Sequence, residues 1–202
     1  NVMPVWSAGN AGPNPGTITT PHEHPLTYAM AATQEDGKVA SFSSRGPGKY
    51  KGQETQKPDA GAPGKNIISS VPGGKFVSMS GTSMSSPHAT GATAILFQIK
   101  SDLNPAAVRK ILSDTAANVD ANGNPSSSKA WNANYGFGKL DMNAAVKMAL
   151  AVRHRAESPT LDLVESLIKT PEMISVDQIM GLLGDQEALN PYKSNIAIPS
   201  WM

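Results

Sequence analysis

The 202-residue chain is 16% charged and 39% hydrophobic, carries a net charge of +1, and contains 18 Gly, 16 Pro and no Cys. These figures fit a globular chain and exclude disulfides, thiol catalysis and cysteine-based metal sites. No run approaches the ~18 consecutive apolar residues of a membrane-spanning helix, and a net charge of +1 offers no basic field to hold nucleic acid. The charge is unevenly spread: residues 1–153 hold 14 Lys/Arg against 9 Asp/Glu, and residues 154–202 hold 3 against 7. The sequence thus divides into a basic body, 1–153, and an acidic extension, 154–202. The opposite signs leave open both a solvated tail and one docked on the body. The opening Asn-Val-Met, without a leader pattern, reads as an internal start.

Val2 to Ala8 is apolar and β-prone, but Pro4 cannot donate to a ladder, so pairing is expected only after it. Leu26 to Thr33 and Val39 to Ser43 read as strands parted by the turn Glu35-Asp36-Gly37. Asn66 to Val71 and Phe76 to Ser80 read as two more, around Pro72-Gly73-Gly74. After Ser80 the period becomes helical. The segment Ser83 to Lys100 opens on hydroxyl residues with Pro87 early. Its centre, Ala89 to Ala94, is small on every side, as suits a buried helix with close neighbours. Asn104-Pro105 supplies an N-cap and a proline at the first helical position for a helix to about Ala116. Asp141 caps a third helix through about Arg153, with Ala144, Ala145, Met148 and Ala149 on one face. The extension holds two weaker amphipathic helices, one with Leu161, Val164, Leu167 and Ile168, the other with Val176, Ile179, Met180 and Leu183. Strands first and helices later predict an α/β layered fold.

Gly81-Thr82-Ser83-Met84-Ser85-Ser86-Pro87-His88 falls where a strand passes into a helix. A serine there has its N–H among the free donors of a helix start, where the macrodipole favours negative charge. A nucleophile whose attack on a carbonyl creates an oxyanion needs that setting. The G-x-S-x-G elbow of the α/β-hydrolases does not fit, because Ser85 stands where its second Gly belongs.

The same octapeptide closely resembles the active-serine signature of the subtilisin-like serine proteases, the subtilases. Four further segments agree in order: Ser7-Ala8-Gly9-Asn10, Phe42-Ser43-Ser44-Arg45-Gly46-Pro47, Lys57-Pro58-Asp59 through Ala62-Pro63-Gly64, and Tyr135-Gly136-Phe137-Gly138 with Leu140-Asp141. The resemblance covers roughly residues 1–153 and leaves the extension unmatched. It implies a three-layer α/β fold, with a mostly parallel central sheet flanked by helices, of which this chain is the C-terminal part. It makes Ser83 the nucleophile, Asn10 the side-chain donor to the oxyanion, and the Ser83 N–H the second donor. Ala8, Gly9 and Thr82 are implied at the substrate-binding wall. Protein or peptide substrates and a secreted setting follow from the same resemblance, although intracellular members exist.

A serine nucleophile also needs a base, ordinarily His, oriented by a carboxylate. The family carries these in Asp-Thr/Ser-Gly and His-Gly-x-His segments ahead of the oxyanion asparagine, and neither occurs here. The implied partner is therefore the N-terminal half of the same protease. Without it, one side of the helix 83–100 and an edge of the sheet are expected to lie open. His88 lies five residues after Ser83, about 140° around the helix, and is expected to face elsewhere. His22 and His24 flank Glu23, a thin metal pattern with only two imidazoles. Asp114-Thr115-Ala116 mimics the aspartate segment but lacks its Gly and reads as structural. Asp120, Asn122 and Asn124 begin like a calcium loop, but Trp131 occupies the position of its closing Glu, so a polar turn is expected. No metal ligand is assigned, and calcium enters only as a common companion of the family. Two functions remain: a serine endopeptidase, or a catalytically inactive subtilase-like module that binds peptides or a partner.

Overall fold

The structure, a computed structural model, describes residues 2–157. The two helices expected in the acidic extension lie outside them. The strands in chain order are β1 (Val5–Ser7), β2 (Tyr28–Thr33), β3 (Gly48–Tyr50), β4 (Gln53–Thr55), β5 (Ala60–Pro63), β6 (Ile67–Val71) and β7 (Lys75–Met79). The helices are α1 (Thr82–Ile99), α2 (Pro105–Thr115) and α3 (Met142–Glu157). The arrangement is α/β, with a parallel sheet and three helices.

The central sheet runs β1-β2-β5, all parallel, with Val5 opposite Tyr28 and Met30 opposite Ala60. Paired residues begin after Pro4, which has no N–H to donate but whose carbonyl accepts the Tyr28 N–H at 2.8 Å. β2 is buried throughout although three of its six residues are alanine. Alanine has little strand preference of its own, so burial between neighbours decides the conformation. Tyr28, Met30, Ala60 and Ala62 project into one apolar cluster with Leu96 of α1, Val108 and Leu112 of α2, and Ala149 of α3. The small sheet residues let α1 lie close. The alternate residues, Ala29, Ala31 and Gly61, face the other side of the sheet, where the Tyr135 ring lies against Gly61.

The caps expected for α2 and α3 form: Asn104 Oδ1 accepts the Ala107 N–H at 2.8 Å, and Asp141 Oδ1 accepts that of Ala144 at 3.0 Å. The strand expected at Val39 to Ser43 does not. Only Val39 bridges Thr33, and the Ser43 N–H turns back to the Ala40 carbonyl. The Ser43 hydroxyl accepts the Ala32 N–H, so a side chain takes the place of a ladder bond. The β3–β4 hairpin was not foreseen; Lys51 and Gly52 turn it with φ of 48° and 83°, the primed geometry that matches strand twist.

α1 is buried on one face only. Ala89, Ala92, Thr93 and Leu96 point inward, whereas Thr90, Gly91, Ala94 and Ile95 are exposed. The small centre thus serves a close approach on one side and leaves the other open. Among the described residues the outer edge of β1 is also unpaired. The β6–β7 hairpin stands off the body, with Ile68 and Phe76 more than two-thirds exposed. No helix among the described residues is long and apolar enough to cross a membrane.

Candidate active site

Just after β5, the Gly64 carbonyl accepts the Gly81 N–H at 2.7 Å, and so fixes where α1 begins. A side chain at Gly64 would overlap Ala32 and the Gly81 carbonyl, so only glycine permits this approach. The first turn of α1 is pinned from below, where the buried Ser85 hydroxyl donates to the Ala31 carbonyl of β2 at 2.6 Å. Ser83, two residues earlier, is exposed. α1 starts at Thr82, one residue earlier than expected, on Gly81, and has no side-chain cap from its own sequence.

The cap comes from a distant loop. Asn10 Oδ1 accepts both the Thr82 N–H and the Thr82 hydroxyl, each at 2.9 Å. The Thr82 hydroxyl in turn accepts the Gly9 N–H at 3.2 Å. Because the Thr82 N–H can only donate, the atom facing it is the amide oxygen, and the Asn10 Nδ2 donor is turned away from Thr82. The Met84 N–H returns to the Gly81 carbonyl, while the Ser83 N–H between them has no partner among the described residues. The Asn10 amide nitrogen and the Ser83 N–H both border Gly81, each within 4 Å of where a side chain would begin there.

The Asn10 loop leaves β1 through Ala8, which is fully buried with its N–H on the Met30 carbonyl. Gly9 holds φ at +96°, a left-handed conformation suited to glycine. Of the three residues implied at the substrate wall, only Gly9 reaches the surface; Ala8 and Thr82 are buried behind it.

A cleft of about 520 Å³ opens between the β6–β7 hairpin and the start of α1, lined by Ser83, Met84, Pro87, His88, Val77 and Met79 among others. His88, expected to face elsewhere, borders the same cleft as Ser83. Its lining runs along the first turns of α1 from Ser83 to His88. No hydrogen bond joins the two residues; His88 Nδ1 lies 3.0 Å from the Met84 carbonyl instead.

The other sequence candidates separate. Glu23 is buried and accepts the Thr20 hydroxyl at 2.7 Å, and His24 stacks edge-on against Tyr50. Asp114 pairs with Lys110 on the surface of α2. Asp120 accepts the Asn122 and Asn124 N–H groups in a polar turn. The Asn124 N–H, chief among several donors to it, holds its carboxyl below the usual range. No group of three His, Cys, Asp or Glu among the described residues is placed to hold a metal ion.

Sequence reasoning passed over a buried charge network beside the sheet. Lys57 Nζ donates to Asp59 Oδ2 at 2.6 Å and to the Thr27 carbonyl, and Arg109 lies 3.5 Å from Asp59 Oδ1. The Ala29 N–H donates to Asp59 Oδ2 at 2.7 Å, tying β2 to the entry of β5. Burial pushes the Asp59 carboxyl up and the Lys57 ammonium down, and each charge opposes the other's shift. The available signal was two opposite charges two residues apart in an otherwise Pro/Ala/Gly-rich run.

A family model described as the subtilase family matches residues 1–138. The chain is 36% identical over 151 residues to bacillopeptidase F of Bacillus subtilis, which covers 72% of this chain and 10% of that protein. It is 40% identical over 127 residues to the serine protease AprX of the same organism, covering 52% of this chain and 28% of that protein. It is 34% identical over 118 residues to subtilisin Savinase of Lederbergia lenta, covering 58% of this chain and 40% of that protein. The match thus spans between a tenth and two-fifths of the length of these relatives.

Proposed function

The chain belongs to the subtilase family, and from that premise we propose that it is the nucleophile-bearing part of a serine endopeptidase. The Ser83 hydroxyl attacks the scissile peptide carbonyl and passes its proton to a base. The carbonyl electron pair moves onto oxygen, where Asn10 Nδ2 and the Ser83 N–H receive it. Collapse of this intermediate expels the amine with the proton from the base and leaves an acyl-enzyme, which water then hydrolyses. The observation that carries the reading is the pair of bonds from Thr82 to Asn10 Oδ1. They commit the amide oxygen and leave the amide donor for the oxyanion. Removing that donor is expected to lower kcat by ~10²–10³, a magnitude taken over from a subtilisin.

The base and its orienting carboxylate then come from the N-terminal half of the same protease, as the family resemblance implies. In this reading Gly9 forms the substrate wall, backed by Ala8 and Thr82, and protein or peptide chains are the substrates. A secreted setting fits the reading. The test is labelling by a serine-directed fluorophosphonate together with cleavage of a chromogenic peptide, for this chain alone and with the N-terminal half added in trans. The chain alone is expected to be inactive, the mixture to hydrolyse and label, and Ser83→Ala to abolish both. Labelling that persists at another serine refutes the assignment. A mixture that binds peptide yet neither labels nor hydrolyses identifies an inactive binding module.

A further inference from the structure

We propose that Ser44 is a positioning residue of the oxyanion site, holding the backbone on both sides of Asn10 so that its amide donor stays aimed. The inference rests on the reading of Asn10 as the oxyanion donor. Asn10 is exposed and sits just beyond a three-residue strand, a place where a chain ordinarily frays. Thr82 fixes only the far end of its side chain. The near end depends on the two torsions of Asn10, and these are set by the peptide groups before and after it.

Both groups end on Ser44. The Ser44 N–H donates to the Gly9 carbonyl at 2.8 Å, which fixes the peptide plane between residues 9 and 10. The Ser44 hydroxyl accepts the Ala11 N–H at 3.0 Å, which fixes the plane between residues 10 and 11. With both planes bonded to one residue, φ and ψ of Asn10 cannot drift independently, and its Cα–Cβ direction is held. The contact is close: a Cβ at Gly9 would lie 2.9 Å from the Ser44 hydroxyl oxygen. One residue further on, the Gly12 N–H donates to the Phe42 carbonyl, extending the seat.

Ser44 itself lies in a well-bonded turn. It is fully buried, and the Ser43 N–H closes the turn onto the Ala40 carbonyl. The next residue is tied twice: the Arg45 N–H donates to the Thr17 hydroxyl, and its guanidinium donates to the Ala40 carbonyl. A hydroxyl placed merely to satisfy buried groups has no reason to share one residue with the N–H that holds the opposite side of Asn10. The turn is thus a rigid anvil for a loop that has little packing of its own, and small misplacements of an aimed donor are expensive in rate.

The test uses the protease assembled with its upstream half, and compares Ser44→Ala with Ser43→Ala. Ser43 is equally buried, but its hydroxyl accepts from Ala32 of β2 rather than from the Asn10 loop. Ser44→Ala is expected to lower kcat by roughly ten- to a hundredfold with KM changed less than about twofold. In an Asn10→Ala background the same change is expected to cost less than about threefold, because no donor remains to be aimed. Ser43→Ala is expected to lower Tm and keep kcat. Ser44→Cys, which keeps the size but accepts hydrogen bonds weakly, covers the case in which Ser44→Ala does not fold, and is expected to lower kcat to an intermediate value. Amide exchange at Ala11 in the 202-residue chain, which needs no catalysis, is expected to speed up in Ser44→Ala. An active protease in which Ser44→Ala keeps kcat, or loses the same factor with and without Asn10, overturns the positioning role alone. Unchanged Ala11 exchange overturns the clamp. An inactive wild-type assembly overturns the oxyanion reading and this role with it.

Discussion

Lys57→Met keeps most of the volume of a side chain that is only 2% exposed and removes its charge. Two charge-assisted bonds are lost, to the Asp59 carboxylate and the Thr27 carbonyl, each of the kind that contributes about 1.5–3 kcal/mol. The larger effect is on what remains, since a buried carboxylate without its nearest cation costs about 3–5 kcal/mol. Arg109, 3.5 Å from Asp59 Oδ1 and a quarter exposed, compensates in part, so the loss belongs at the lower end, about 3 kcal/mol. For a protein of this size that lowers Tm by roughly 6–12 °C. The pH dependence carries the diagnosis. Burial already raises the Asp59 carboxyl, and loss of Lys57 raises it further above its unfolded value of about 3.9. Between those two pKa values the folded state holds a proton that the unfolded state has released, so stability rises as pH falls through that window. Urea unfolding of wild type and variant at neutral pH and at about pH 5 measures both effects, and the deficit is expected to shrink on acidification. A deficit below about 1 kcal/mol at neutral pH, or one that grows toward acid, refutes the reasoning.

Thr82→Val removes the hydroxyl shared by Asn10 Oδ1 and the Gly9 N–H while keeping the shape. It is expected to lower kcat of the assembled protease about tenfold or more with little change in KM, read from steady-state kinetics on a chromogenic peptide. Gly9→Ala places a Cβ 2.9 Å from the Ser44 hydroxyl oxygen at a φ of +96°. It is expected to cost at least ~1–2 kcal/mol of stability and to depress kcat, whereas a variant with wild-type melting and activity contradicts the tight seat described for this loop. Asn104→Ala removes the cap on the Ala107 N–H and is expected to cost about 1 kcal/mol without altering fluorophosphonate labelling of Ser83, checked by parallel denaturation and labelling.

Local chemistry was legible in the sequence wherever one short segment settles it. Asn104-Pro105 and Asp141 start their helices as expected, because a cap needs only its own residue and the turn that follows. Pro4 set where β1 could begin to pair, because a missing N–H acts at its own position. The serine motif was readable for the same reason, as one unbroken run at a strand-to-helix junction. Tertiary structure decided the rest. Val39 to Ser43 looked like a strand, yet the Ser43 hydroxyl took the Ala32 N–H and made a turn. The helix at Ser83 looked self-capped by hydroxyls, yet its cap is Asn10, 72 residues away. The small centre of α1 gave no indication of which side would be covered; that depended on where β2 and β5 came to lie. The hydrogen-bonded setting of Asn10 likewise belongs to no single segment. Thr82 donates to the Asn10 side-chain oxygen, and Ser44 bonds the peptide groups on either side of Asn10. A hydrogen bond between distant residues exists only once packing has brought both partners within bonding distance, and no periodicity or composition records that distance in advance.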